Sequence, residues 1–383
     1  MQENEILIIG GGIAGTSTAY YLSKYGHAVT LLERNELATE ASGLNAGGIL
    51  TGSSLEIFKM LQFDYGCDIE FRQSGHLKVI QTEEQGAFAR QQALELTSQG
   101  QKVEILTARD ARSIEPALSQ DILGCMYYPH VSTADPVKTT SAFAELAQQQ
   151  GATVLTNHEV TDIQGLDDGT YRIVTQQELF KAKLLVLAAG PWCRALGSML
   201  KLHIPVYAVR AQIGSTGPVP TKIFHYIRAV ESMLYWHKNP PSDAHTPQHL
   251  THHGHQRLTR HFYARQRQNG EIIFGGDMQV DMDKIPDPAG IEVNYRHGIE
   301  IFPFLQELPI KRTWAGWVPL TRDLRPLIGK IPYFEGLYLL TGSISGFSEG
   351  PMAGKLLADY IHTGIASPVL STADPAQHVT FAN

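Results

Sequence analysis

Three glycines near the start of the chain, Gly10, Gly12 and Gly15, stand at the G-x-G-x-x-G spacing. That spacing suits the holding of a pyrophosphate by main chain. The first glycine permits a tight turn, the second lets the backbone approach the phosphates, and the third lets a helix pack closely on a strand. Ile13 and Ala14, between them, would open a helix whose first amides and dipole both point at an anion. Glu33 follows 18 residues after Gly15. A carboxylate there accepts hydrogen bonds from ribose hydroxyls and disfavours a 2′-phosphate. This set reads as a dinucleotide site, with FAD and NAD both open on these residues alone.

A loop of this kind must sit between a strand and a helix. Ile6-Leu7-Ile8-Ile9 is a short apolar run that stops at glycine, as a buried parallel strand does. Residues 16–25 read as a helix closed by Gly26, and residues 28–33 as a second strand. The unit is a βαβ of the expected length. Further along, residues 84–100 and 136–150 read as helices, the second opened by Asp135-Pro136. Thr153–Leu155, Glu159–Ile163 and Lys183–Gly190 read as strands. So do residues 204–214, 233–237, 259–266 and 271–276, with Gln268-Asn269-Gly270 as a hairpin turn. Residues 238–258 read as a long polar loop. A strand at Gly336–Gly342 precedes a helix expected over Pro351–His362.

The 383 residues imply two or three domains of ordinary globular composition, 43% hydrophobic and 18% charged. The net charge of −7 and the scattered Lys and Arg argue against nucleic acid as a partner. Cys67, Cys125 and Cys193 lie far apart, which excludes a C-x-x-C redox pair and a local iron–sulfur or zinc ligand set. The apolar runs are too short for a transmembrane segment, and the acidic start is unlike a signal peptide. These features suit a cytoplasmic protein, with peripheral membrane association left open. His237, His245, His249, His252, His253, His255 and His261 crowd one stretch. It reads as a loop without fixed geometry, so no metal is expected.

After Glu33-Arg34 comes Ala41-Ser42-Gly43-Leu44-Asn45-Ala46-Gly47-Gly48. Near the other end stand Arg312-Thr313-Trp314-Ala315-Gly316-Trp317-Val318-Pro319-Leu320-Thr321-Arg322-Asp323, then Pro326–Gly329, Gly336–Gly342 and Gly346-Phe347-Ser348 through Pro351 and Gly354. In this order, over nearly the whole length, these segments resemble the D-amino-acid oxidase-like flavoprotein family, which includes glycine oxidase, sarcosine oxidase and amino-acid dehydrogenases. The resemblance implies an α/β fold: a Rossmann-like FAD-binding domain beside a mixed, largely antiparallel β-sheet substrate domain. The first is expected over 1–72, 133–204 and 313–365, the second over 73–132 and 205–312, with 366–383 as a C-terminal tail. It implies FAD, with Arg34, Ser42, Asn45, Ala46, Gly47, Gly48, Val160, Ala189, Gly190, Trp192, Gly342, Gly346, Phe347 and Ser348 joining the glycine loop and Glu33 around it. The positive end of the final helix would face the flavin edge where charge gathers on reduction.

With one dinucleotide fingerprint and no cysteine pair, the electrons are expected to come from the substrate. The expected reaction is hydride transfer to flavin from a C–H next to nitrogen, giving an imine. The substrate would be a small amine or amino acid, and the acceptor oxygen, a quinone or a partner protein. A 2-hydroxy-acid dehydrogenase and a flavin-binding subunit of a larger complex are the alternatives, and homo-oligomerisation stays open. Family members with covalent flavin carry a histidine near Asn45 or a cysteine near Ala315. Neither residue here can make such a bond, so the expected FAD is non-covalent. Where glycine oxidase and its relatives carry a carboxylate-clamping arginine, this chain has Val318, which cannot replace a bidentate clamp. Arg265 is the first alternative, ahead of Arg210, Arg322 and Arg325. Strand alternation puts His261, Tyr263 and Arg265 on one face, and Tyr263 aligns with a tyrosine often found over the flavin. Tyr263, Arg265 and Trp317 are therefore the expected substrate-site residues; Trp314 and Trp317 could line the cavity or belong to the core.

Overall fold

The computed structural model describes residues 2–242, 246–281 and 283–382. The strand Gln2–Ile9, fully apolar over its second half, is buried there and pairs in parallel with Leu179–Leu187 on one side and Val29–Leu32 on the other. Leu337–Thr341 and Thr153–Leu155 extend the parallel set outward. Leu327–Lys330 closes one edge in antiparallel fashion, and the hairpin Val160–Gly165 and Tyr171–Thr175 leans on Leu179–Leu187. Among the described residues this makes an eight-stranded sheet. Helices Ile13–Lys24, Pro136–Gln149 and Gly346–Thr363 pack on one face, where Tyr20, Phe143 and Leu357 are buried. Asp135 caps the second of these helices by accepting from the Lys138 amide at 2.9 Å.

The second sheet runs in the order Ile310–Leu320, Tyr207–Pro218, Glu271–Val280, Tyr263–Gln266, Tyr226–Ala229, His76–Ile80, Gly124–Tyr128, Glu104–Thr107. All its pairs are antiparallel except Tyr226–Ala229 with His76–Ile80. Helix Pro288–Ile301 covers one face, burying Phe262 and Phe274 with Tyr295. The other face looks toward the first sheet across a cleft.

Several elements differ from the sequence reading. Residues 233–237, read as a strand from their aromatic content, lie in a helix, Glu231–Lys238. Met233 and Leu234 pack beside Phe88 while Trp236 packs on Leu250. Contacts on two sides, which a helix satisfies, override the strand propensity. The final helix begins at Gly346, earlier than expected, and takes Pro351 into its early turns. Residues 313–320 belong to the second sheet, because Ile310–Leu320 pairs with Tyr207–Pro218 along its length. Within the expected C-terminal tail, 366–383, Leu370 and Ala373 are buried, and Thr380–Phe381 pairs with Leu202–His203. Within 238–258, His252–His253 and Gln256–Arg257 form a small hairpin.

Candidate active site

The cleft between the sheets has a volume of about 810 Å³, toward the upper end for small-molecule and cofactor sites. One end is built by the glycine loop. Gly10 has φ +120°, and a Cβ there would meet the Ala188 carbonyl oxygen at 2.5 Å. A Cβ on Gly15 would fall 1.9 Å from the Gly10 carbonyl oxygen, so this glycine stands out of the cleft, at the contact of helix with strand. Gly12 faces the cleft, where its added Cβ would come within 2.8 Å of Ser42 Oγ. Ser42 Oγ accepts from the Ile13 amide at 2.9 Å, so the loop arriving from residue 41 covers the helix start. Glu33 accepts from the Gly11 amide at 2.7 Å and from Asn35 at 2.9 Å. This leaves a bare-backbone hollow at a helix N-terminus with a carboxylate beside it, a cradle that fits the pyrophosphate and ribose of a dinucleotide.

Asn45 holds the next turn. Its side-chain amide donates to the Ala41 and Ser42 carbonyls, and its oxygen accepts from the Gly47 amide at 2.7 Å. Ala46 and Gly48 line the cleft; Gly47, with φ +74°, makes the turn behind it. Ser348 Oγ, in the first turn of the final helix, accepts from both the Leu50 and Thr51 amides at 3.0 Å. Gly350 and Gly354 let that helix cross Ile13–Lys24 so closely that added Cβ atoms would meet Ile13 at 2.7 Å and Ser17 Oγ at 2.1 Å. Two helix N-termini thus open on one cleft. Arg34, Val160, Ala189, Gly190, Gly342, Gly346 and Phe347 line it as well. The Arg34 guanidinium lies 3.8 Å from the Trp192 ring centre and pairs with Glu40. Lys284 pairs with the same carboxylate and lies over Trp192 and Trp317, so the two cations at this mouth share one carboxylate.

The other end is built by side chains of the second sheet. Tyr226 and Tyr263 stack with ring centres 6.4 Å apart and line the cleft with Trp317 and Val318. Burial pushes the Tyr263 phenol well above its ordinary value, with Tyr226 adding to the effect, so it stays a hydrogen-bond donor. Trp314 points elsewhere and donates to the Leu44 carbonyl.

Arg265 does not line the cleft. Its Nη1 donates to the Ala134 carbonyl at 2.8 Å, behind Gly47. It shares a face with Tyr263, but the next position along the strand passes beyond the cavity. Arg210 is tied to Asp281 and Asp283, and Arg322 and Arg325 are exposed. The arginine that lines the cleft beside Tyr226 and Tyr263 is Arg228, on the strand Tyr226–Ala229. The sequence reading passed over it, although Tyr226-Ile227-Arg228-Ala229 carries a two-residue alternation of the kind that marked His261 and Tyr263. Arg228 Nη2 donates to His261 Nε2 at 2.6 Å. Burial, then Arg228, hold His261 neutral and well below its ordinary value. His249, also lining the cleft, is pulled down to about 4 by burial and by Arg228 and Lys78.

The histidine-rich stretch is therefore divided. His249 and His261 face the cleft, His237 packs on Phe88, and His252 and His253 lie in the small hairpin, while His245 lies outside the described residues. Among the described residues no group of three or more His, Cys, Asp or Glu is placed to hold a metal ion. Nor, among them, is any helix long and apolar enough to cross a membrane. Cys67, Cys125 and Cys193 are free.

Residues 5–360 match the family described as FAD dependent oxidoreductase. A glycine oxidase from Bacillus licheniformis is 26% identical over 379 residues, covering 93% of this chain and 92% of that protein. Mouse mitochondrial dimethylglycine dehydrogenase is 25% identical over 412 residues, covering 98% of this chain but 44% of that longer protein. Among solved structures, an L-proline dehydrogenase from P. horikoshii superposes with a TM-score of 0.84 at 24% identity, covering 98% of each chain.

Proposed function

The chain belongs to the FAD-dependent oxidoreductase family, and from that premise we propose that it oxidises the C–N bond of a carboxylate-bearing amine or amino acid. FAD, when bound, would supply the acceptor for a hydride from the carbon next to nitrogen. The amine loses a proton, and water hydrolyses the resulting imine to a carbonyl compound and an amine or ammonia. Oxygen, a quinone or a partner protein then takes the electrons.

The glycine loop, Ser42, Glu33 and the start of the final helix hold the dinucleotide in this reading. Arg228 holds the substrate carboxylate in place of an arginine at Val318, and its bond to His261 sets the direction of the guanidinium. His261 Nε2 accepts that bond, so its proton sits on Nδ1. Tyr263 and Tyr226 wall the cavity, and Tyr263 offers its hydroxyl proton to a substrate oxygen. Trp317, Trp192 and Lys284 stand at the mouth and exclude water. The observation that carries this reading is an arginine with no carboxylate partner among the described residues, inside the same cleft as the glycine loop. An unpaired cation in such a place is costly unless a ligand anion completes it.

The test is anaerobic flavin reduction by the purified holoenzyme against a panel of amino acids, N-methyl amino acids, cyclic imino acids, uncharged amines and 2-hydroxy acids. Carboxylate-bearing amines should bleach the flavin and release ammonia or amine on turnover. Bleaching by 2-hydroxy acids alone would move the reaction to C–O oxidation.

A further inference from the structure

We propose that His249 is the residue that takes the proton from the nitrogen of the bound amine. This deepens the reading above and rests on it.

His249 lines the cleft at the end where Tyr226, Arg228 and Tyr263 stand. The backbone behind it is fixed by buried bonds. The next residue, Leu250, is buried, and its carbonyl accepts from Trp236 Nε1 at 2.9 Å. The Thr251 amide donates to the Met278 carbonyl at 2.8 Å, and the Thr251 hydroxyl accepts from the Met278 amide at 2.8 Å. His249 itself has φ +65°, and among the described non-glycine residues with positive φ it is the one that lines the cleft. A side chain is held in that region only where its surroundings over-determine it, and such residues gather at functional sites.

The polar groups of this end leave one task for it. Arg228 donates, and the Tyr263 phenol keeps its proton. Trp317 Nε1 and His261 Nδ1 are buried without a partner, and both carry a proton, so they can only donate. Such donors suit a carboxylate, whereas an ammonium group needs an acceptor. Neither ring nitrogen of His249 has a hydrogen bond among the described residues, and a neutral imidazole offers one unprotonated nitrogen. The phenols of Tyr226 and Tyr263 have lone pairs as well, but an imidazole nitrogen is the stronger base.

The charges around the ring decide when it acts. Burial, then Arg228 and Lys78, hold the imidazole at about 4, so it stands without its second proton at neutral pH. His261 is neutral too, and His252 bonds Thr251. Asp277, on the strand Glu271–Val280, is taken up by Arg257, Gln212 and Thr251. A carboxylate arriving on Arg228 offsets one of the two cations, which raises the imidazole and makes it a better base once the substrate is in place. An N–H bond of the substrate's ammonium then breaks, and its proton goes to the His249 ring. The two electrons of the neighbouring C–H bond leave with their hydrogen as hydride to the flavin, and the nitrogen lone pair closes the C=N bond.

The experiment measures kcat/KM against pH for the holoenzyme, with an amine that reduces the wild-type flavin, in wild type and His249→Asn. Asparagine adopts positive φ readily and cannot take the proton. At neutral pH the variant should lose about 100-fold in kcat/KM, with FAD content unchanged. Its profile should then climb about tenfold per pH unit and approach wild type near the pKa of the substrate's own amine, where no base is needed. His249→Gly, also at ease at that φ, should show the same loss and recover part of it with added imidazole. A second readout needs no turnover. At about pH 5 Lys78, which burial and Arg228 bring down to about 7, is already charged, so His249 is the group left to respond to an anion. Calorimetry in two buffers of different ionisation enthalpy should show wild type taking up protons as trifluoroacetate binds, and His249→Asn taking up none. A loss that is the same at every pH, no loss at all, or equal proton uptake by wild type and variant overturns the assignment. If no amine reduces the wild-type flavin, the reading above fails instead, and the base falls with it.

Discussion

The two ends of the cleft are built on opposite plans. At the dinucleotide end the surfaces are backbone: Gly10, Gly12 and the start of helix Ile13–Lys24 present amides, and Gly15 is there to bring elements together. Its cations are paired internally, as Arg34 and Lys284 are with Glu40. At the proposed substrate end the surfaces are side chains, Tyr226, Arg228 and Tyr263 from strands that meet by sheet register, and His261 just before one of those strands. There Arg228 bonds a neutral histidine and, among the described residues, has no carboxylate partner. A site made of main chain is complete before its ligand arrives; a site made of unpaired charge is finished by the ligand. The first plan fixes affinity for a part common to many reactions, and the second leaves selectivity to a few substitutable residues.

The contrast can be broken most sharply at Gly12. Gly12→Val puts a branched side chain where one Cβ already meets Ser42 Oγ, and FAD content after purification should fall from near stoichiometric to near zero. A yellow Gly12→Val protein would mean that backbone approach is not what holds the cofactor. Acid precipitation of wild type should release all the colour to the supernatant, since Asn45 and Ala315 offer no covalent anchor; colour in the pellet would refute this.

At the other end, Arg228→Met should lower kcat/KM for a carboxylate-bearing amine about 30-fold or more, with FAD content unchanged. The same substitution removes an uncompensated cation, so the melting temperature of the apoprotein should rise. Arg265→Ala, behind Gly47 and out of the cleft, should leave KM as it is. A rise in KM with Arg265→Ala and none with Arg228→Met would reverse the assignment.

A smaller effect is expected for Glu33→Ala. It removes one charged acceptor and should weaken FAD by about 1.5–3 kcal/mol, roughly 10- to 150-fold in Kd, measured by flavin fluorescence on titrating apoprotein. The smallest concerns acid. His249 sits at about 4 in the folded protein, beside Arg228, Lys78 and His261, against an ordinary value near 6.5. Between those values the unfolded chain takes up the proton first, so its contribution to stability is intact above about 6.5 and declines as pH falls toward 4. His249→Gln should flatten the acid limb of melting temperature against pH; an unchanged limb would show that His249 does not carry this dependence.

How much of this was legible follows the same division. The glycine loop, Glu33 and the Gly336–Gly342 strand are local patterns, and a strand that ends at glycine can be read without knowing its neighbours. The arginine could not be placed so simply. Arg265 and Arg228 both lie on short strands beside a tyrosine, and which one meets the cavity depends on where the neighbouring strands stop. The sequence states that only through pairing across 150 residues, as between His76–Ile80 and Tyr226–Ala229. The helix at Glu231–Lys238 was missed for a related reason, because one of its packing partners, Phe88, comes from a distant segment.

The bonds from the Leu50 and Thr51 amides to Ser348 span nearly 300 residues. During synthesis the glycine loop emerges first, yet it lacks its facing helix until residues beyond 346 have left the ribosome. Closing so long a loop costs conformational entropy that short-range contacts cannot recover. The dinucleotide end of the cleft is therefore a joint between distant parts of the chain, complete only when the segment near residue 50 and the start of the final helix have met.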